Sequence, residues 1–393
     1  MTIEIVDVPV PERWDDDSEG ARLLRQYVDV RNGVVVDLFG GDTSHAFTYR
    51  QAWAQWRSLL ETCEAVRTLA LLDGVPAGRG YAERSLLEAQ TIGEVDVLVL
   101  PGSRGRGVGT ALADDLLARL AAQGVTTEQA WVNHPPAPGP TLLAPTGFGE
   151  IPADTPAVRM LQRYGFALEQ VERMSELSLA AAAPSLAEHR ASAEERALPR
   201  YCVELWEGPT PPERIDALAA LHARMSTDAP AAGLDHEEER WDAKRLASYE
   251  RSQLEGGRTL LRAIAVETAT DAVVAFTTLV SNTVPDEAVP DDAVPVEAAP
   301  DGPSPDDPES AVPGTASVHA WYQHDTLVHG DHRGHRLGML VKAANLQALA
   351  AHDAIAVVRT WNASENTHML AVNEALGFRR ILDEGAWQRR AAP

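Results

Sequence analysis

Two stretches of this chain follow one plan, and that repetition limits the folds open to it. "VDVLVLPGSRGRGVGTALADDLL", Val95 to Leu117, and "DTLVHGDHRGHRLGMLVKAANL", Asp325 to Leu346, both run from an apolar strand pattern through a Gly-rich turn into an apolar-periodic helix. Each is followed by a further strand, a short helix and a Gly-Phe pair, at Gly165-Phe166 and Gly377-Phe378. The same order twice predicts an internal duplication of a mixed α/β unit of about 180–190 residues, too long for a solenoid repeat. With 393 residues and 45% hydrophobic content, the chain can bury two cores.

The duplication sets the expected boundaries. Residues 1–180 form a first unit, 181–199 an Ala- and charge-rich linker without a strand pattern, and 200–393 a second unit. One segment stands outside the plan. Residues 284–314 carry nine Asp or Glu, no Lys or Arg and many prolines, a composition that predicts a disordered insertion between two strands.

Charge and cysteine content remove several function classes. A net charge of -24 argues against a nucleic-acid binder, which needs basic surface to displace counterions. Two cysteines, Cys63 and Cys202, cannot form a disulfide scaffold and fit a reducing compartment. No signal peptide and no membrane-length apolar run is read, so the expected location is cytoplasmic, without membrane partners.

A Gly-rich turn between strand and helix points successive backbone N–H groups at one spot, where the helix N-terminus adds positive character. That arrangement holds phosphate. Neither turn has the Lys-Ser/Thr pair of a P-loop, and neither reads as a dinucleotide fingerprint with its acidic ribose reader. His319, His324, His329, His332 and His335 cluster in one strand and turn, but without metalloprotease or Cys-x-x-Cys spacing no metal is expected.

Arg104-x-x-Gly107-x-Gly109 resembles the Q/R-x-x-G-x-G/A loop of the GCN5-related N-acetyltransferase (GNAT) family. Arg333-x-x-Arg336-x-Gly338 matches except at its middle glycine. The family's later N-x-x-A-x-x-x-Y-x-x-x-G-F signature is approached by Asn366, Met369, Asn373, Gly377 and Phe378. In the first unit Asp154, Ala157, Leu161, Gly165 and Phe166 take those places. The resemblance implies two tandem domains, each a mostly antiparallel, splayed mixed sheet flanked by helices, in the manner of tandem acetyltransferases of the mycothiol-synthase kind.

It also implies acetyl-CoA as co-substrate and direct transfer of the acetyl group to a primary amine of a small molecule. The pyrophosphate would lie on Arg333, Gly334, His335, Arg336, Leu337 and Gly338, or on Arg104, Gly105, Arg106, Gly107, Val108 and Gly109. The pantetheine arm would pair with Thr326, Leu327 and Val328, or with Val97, Leu98 and Val99. Asn362 and Asn366 would lie beside it.

The second unit is the expected catalyst. Asn373 at the tyrosine position can donate a hydrogen bond to a leaving thiolate, whereas Leu161 cannot. Candidate bases on the strand before each turn are His324 and Asp325, or Glu94 and Asp96. Strand alternation predicts that only one of each pair faces the acceptor. The first unit would bind acyl-CoA without turnover or shape the acceptor site. A CoA-binding regulatory protein and a protein-lysine acetyltransferase remain the rival readings, with the chain a monomer or homodimer. No acceptor motif is legible.

Overall fold

The computed structural model describes residues 1–282, 319–353 and 356–390, so the acidic insertion 284–314 lies outside the described residues. In the first half the order is β1 (Ile3–Asp7), α1 (Glu19–Leu38), α2 (Tyr49–Leu59), β2 (Cys63–Leu72), β3 (Val75–Ser85) and β4 (Ile92–Val99). Then come α3 (Val108–Ala122), β5 (Thr127–His134), β6 (Thr141–Leu143), β7 (Glu150–Pro152), α4 (Pro156–Arg163), β8 (Ala167–Ser178) and α5 (Leu179–Ala197). The second half begins with β9 (Tyr201–Glu207), α6 (Ile215–Asp228), α7 (Ala243–Glu255), β10 (Leu260–Glu267), β11 (Ala272–Ser281) and β12 (Ala320–Val328). It closes with α8 (Leu337–His352), β13 (Val357–Ala363), α9 (Thr367–Leu376) and β14 (Arg379–Arg390).

Among the described residues twelve strands form one sheet in the order β1-β2-β3-β4-β5-β14-β8-β13-β12-β11-β10-β9. The halves exchange strands at its centre. First-half β8 pairs antiparallel with second-half β13, and second-half β14 pairs antiparallel with first-half β5. β8 and β14 also pair with each other, so the sheet runs unbroken between the halves. The segment read as a linker, 181–199, is almost wholly helical within α5, and its Ala182, Leu186, Ala193 and Ala197 join the core that also contains α8.

Local signals explain where helices start. Ser18 caps α1 by accepting from the Ala21 amide, and Thr48 and Gln51 form a reciprocal capping box on α2. Asn366 caps α9, which ends at Gly377 in the left-handed region at φ +100°. α8 is apolar on every side because the sheet and α5 both cover it, whereas α3 buries one stripe through Leu112, Leu116 and Leu120.

In both halves two parallel strands part. β4 and β5 pair only at Ile92–Glu94 with Thr127–Gln129, and β12 and β13 only at Ala320–Tyr322 with Val357–Arg359. Beyond those residues the edge of β12 facing β13 has no ladder partner, while its other edge stays bonded to β11.

Candidate active site

The two splayed sites differ in their strands. β3 and β4 pair in unbroken register from Gly78–Val99 to Arg84–Gly93. Between β11 and β12 the register jumps: Thr277 faces Thr326, but Leu279 faces Gln323. β12 therefore carries one extra residue, and Thr278 stands opposite both His324 and Asp325. Such a bulge leaves backbone groups unpaired and re-aims side chains. Buried Gln323 stabilises it, donating to Thr277 Oγ1 at 2.7 Å and to the Thr278 carbonyl at 2.8 Å.

The bulge corrects the expectation from alternation. His324 and Asp325 both line one cavity of about 1020 Å³ that opens where β12 and β13 part. Burial raises the Asp325 carboxyl to about 6. Its Oδ2 lies 3.4 Å from Nδ1 of buried His222, which is held between Trp241 and Phe276 with ring centroids at 4.9 and 4.5 Å. His324 is open to the cavity, and desolvation by the cavity walls, with Arg258 and Arg262 nearby, lowers it to about 4; its Nδ1 sits 3.3 Å from the Tyr249 hydroxyl. Asp325 is thus the group whose ionisation falls nearer neutrality.

The cavity also takes in Thr326, Leu327, Val328, Arg333, Gly334, Gly338, Asn362 and Asn366. The other expected residues lie elsewhere. Leu337 is in the core, His335 packs against Tyr201 at 5.4 Å, and Arg336 donates to Ser192 on α5 at 2.8 Å. Asn373 is 2% exposed and reaches the cavity only through Asn362, donating to its Oδ1 at 2.6 Å. Lys342 of α8, 1% exposed, lines the cavity, and burial alone lowers it to about 7.

Arg336 shows that the missing glycine matters conformationally. It occupies the helix-start position at φ +58°, where Gly107 of the first half has φ +86°. Both loops need left-handed backbone there, and an arginine adopts it against a cost of about 1–2 kcal/mol. The first residues of the two loops are matched: Arg104 bonds Asp37 on α1 at 3.1 Å, and Arg333 bonds Asp228 on α6 at 3.0 Å.

None of Val97, Leu98, Val99 or Arg104 to Gly109 lines this cavity. In the first half, Met160 of α4 closes on the helix start, its Sδ 3.6 Å from the Cβ position of residue 109. Around Gly338 only Val328 comes within 4 Å of that position. Leu161 packs with the first-half core, and Tyr164 turns its hydroxyl to Asp114 at 2.6 Å. Asp96 is paired with Arg79, and burial beside Glu83 and Asp96 raises Glu94 to about 8.

Sequence reasoning missed the far wall, because the first half supplies it. Arg31, Val35, Phe39, His45 and Phe47 line the cavity beside the second-half residues Tyr249, Arg258 and Tyr322, and Glu172 and Asn133 reach it from β8 and β5. No motif marks them. Among the described residues no group of three or more His, Cys, Asp or Glu is arranged to hold a metal, and no helix is long and apolar enough to cross a membrane.

Comparison with known proteins agrees with this geometry. Residues 29–137 match the Acetyltransferase (GNAT) family model. A tandem GNAT protein from the clavulanic acid biosynthesis pathway superposes over 100% of this chain and 99% of its own, with TM-score 0.67 and 20% identity. A GCN5-related N-acetyltransferase from Sphaerobacter thermophilus covers 100% of this chain and 96% of its own, with TM-score 0.55 and 12% identity. The glucosamine N-acetyltransferase region of a fungal multi-domain GH3 β-N-acetylglucosaminidase covers 99% of this chain but 38% of its own, at TM-score 0.57 and 16% identity. No curated protein matches the chain in sequence.

The fold is thus the tandem GNAT arrangement over the full length of the chain. The stretch that matches the GNAT acetyltransferase family model, residues 29–137, lies in the half that does not hold the cavity loop.

Proposed function

We propose that this protein is an acyl-CoA-dependent N-acetyltransferase acting on a primary amine of a small molecule, with the second half as the catalytic one. The observation that carries the reading is the bulge at His324 and Asp325, opening into the cavity between β12 and β13; β4 has no counterpart.

The residues present fit the co-substrate. The helix start at Arg333 to Gly338 suits its pyrophosphate, and the unpaired edge of Thr326 to Val328 suits the amide-bearing arm. A bound acyl-CoA supplies the acyl group as a thioester. The chain's own part is to orient and to move protons. Asp325, ionised above about pH 6, accepts the proton that an incoming ammonium must lose, with the His222 ring 3.4 Å from its carboxylate. Asn362, held by Asn373, presents its amide toward the leaving sulfur, in place of the family's tyrosine. Holding amine and thioester in line can supply roughly 7–11 kcal/mol of the barrier.

Calorimetric titration with acetyl-CoA tests the assignment. One site per chain is expected, lost in Gly338→Asp, which puts a negative charge at the helix start, and kept in Gly109→Asp. Loss in the Gly109 variant with retention in the Gly338 variant would move the site to the first half.

A further inference from the structure

The end of the cavity away from the loop holds two guanidinium groups to which the described residues offer no carboxylate partner. Arg31 donates to the His45 carbonyl at 2.6 Å and to Asn32 Oδ1 at 3.1 Å. Arg258 donates to Gln253 Oε1 at 3.0 Å and to Asn282 Oδ1 at 3.3 Å, and its buried Nε has no partner among the described residues. Phe47 lies between them, its ring centre 3.8 Å from the Arg31 guanidinium carbon and 5.1 Å from that of Arg258.

The neighbouring cations are already matched. Arg79 pairs with Asp96, Arg262 with Glu250, and Arg359 with Asp42 and Glu176. In a chain of net charge -24, two half-buried arginines with no carboxylate partner among the described residues carry a standing cost. Burial accordingly pushes Arg31 down to about 10 and Arg258 below its ordinary value. An incoming anion would relieve that cost.

Register places this pair. Arg258 precedes Leu260, which pairs with Val280, and Val280 pairs with Tyr322. The phosphate-type loop follows Val328, six residues further along β12, or about 20 Å at strand rise. The cationic end is therefore remote from phosphates held at the loop. His324 and Asp325 lie between, about 7–10 Å along the strand from Tyr322.

We propose that the acceptor carries an anionic group, a carboxylate or a phosphate, several bonds from its amine, and that Arg31 and Arg258 hold that anion on either side of Phe47. The inference rests on the acyl-transfer reading above. The ammonium first gives one proton to Asp325; the amine nitrogen then bonds to the acyl carbon, the carbon–sulfur bond breaks, and the second proton that nitrogen loses goes to the departing sulfur, so CoA leaves as its thiol. The anion is a spectator that fixes the acceptor's position.

The test uses the full chain with acetyl-CoA and three matched series of increasing length: ω-amino carboxylates, their carboxamides, and ω-aminoalkyl phosphates. Thiol release is measured, and binding of the same compounds is followed calorimetrically with and without CoA. One anionic series is expected to exceed its neutral match by about 30- to 1,000-fold in kcat/KM at its best length, the preferred series identifying the anion. Arg31→Gln and Arg258→Gln should each collapse that preference with acetyl-CoA affinity retained, and the Lys variants should restore part of it.

Carboxamides serving as well as acids, or a preference that survives both Gln substitutions, would overturn the proposal. Failure of acetyl-CoA to bind would instead remove the acyl-transfer reading. Binding of the acids over their amides, measured without CoA, would then still decide the anion site.

Discussion

Glu172, in the last strand of the first half, sits in register opposite Ala363, in a strand of the second. Each half thus completes the other's sheet, and Glu172 reaches a cavity that also takes in Arg333 and Gly334 of the second half's Gly-rich turn. Expressed separately, residues 1–198 and 199–393 would each expose the strand edges that the exchange covers. We expect neither piece alone to give a sharp thermal transition, and the two produced together to recover one. A cooperative transition in either piece alone would contradict the interdependence.

Asp325 sets the expected pH profile. Its carboxyl is raised to about 6 by burial, and it acts as a base only when ionised. Activity should therefore rise as pH increases through about 6 and level off above it. Asp325→Asn should lose about 10²–10⁴-fold in kcat and flatten that limb, whereas His324→Gln should leave the limb in place. A limb that persists in Asp325→Asn and vanishes in His324→Gln would exchange the two roles.

Much of this site was legible locally, because glycine spacing and apolar period are properties of short stretches. The two turns, the helices behind them and the Gly-Phe ends follow from such signals. The strand exchange does not, since β8 and β14 show the same alternation whichever sheet they join. Nor does the bulge: "QHDTL" alternates acceptably, and only pairing against Thr278 shows the extra residue. Arg31 and Phe47 were invisible as site residues because the wall they build belongs to the other copy's cavity.

Arg336 offers a test of conformational cost. At φ +58° it sits where Gly107 sits in the first copy, and its side chain is spent on Ser192. Arg336→Gly should stabilise the chain by up to about 1 kcal/mol, the relief of left-handed strain exceeding the lost surface bond. Arg336→Val should destabilise it by at least as much, because a β-branched residue fits that region poorly. Chemical denaturation of the three proteins decides, and destabilisation by glycine would mean that the Ser192 contact outweighs the backbone.

Lys342 makes stability depend on pH in the opposite sense from a surface lysine. Burial lowers its ammonium to about 7, well below the value it regains on unfolding. The folded state therefore binds this proton less readily than the unfolded one. Stability from this group is complete above the unfolded value of about 10.5, declines as pH falls, and reaches its floor once pH passes below 7. Phe378 gives the charge only a ring face, 5.6 Å from Nζ. Lys342→Met, which keeps the volume and removes the charge, should raise the melting temperature by several degrees at pH 6 and by less at pH 9. An equal gain at both pH values would mean that packing, not charge, is what the substitution changes. A loss at pH 6 would show that the ammonium has found a partner in the cavity.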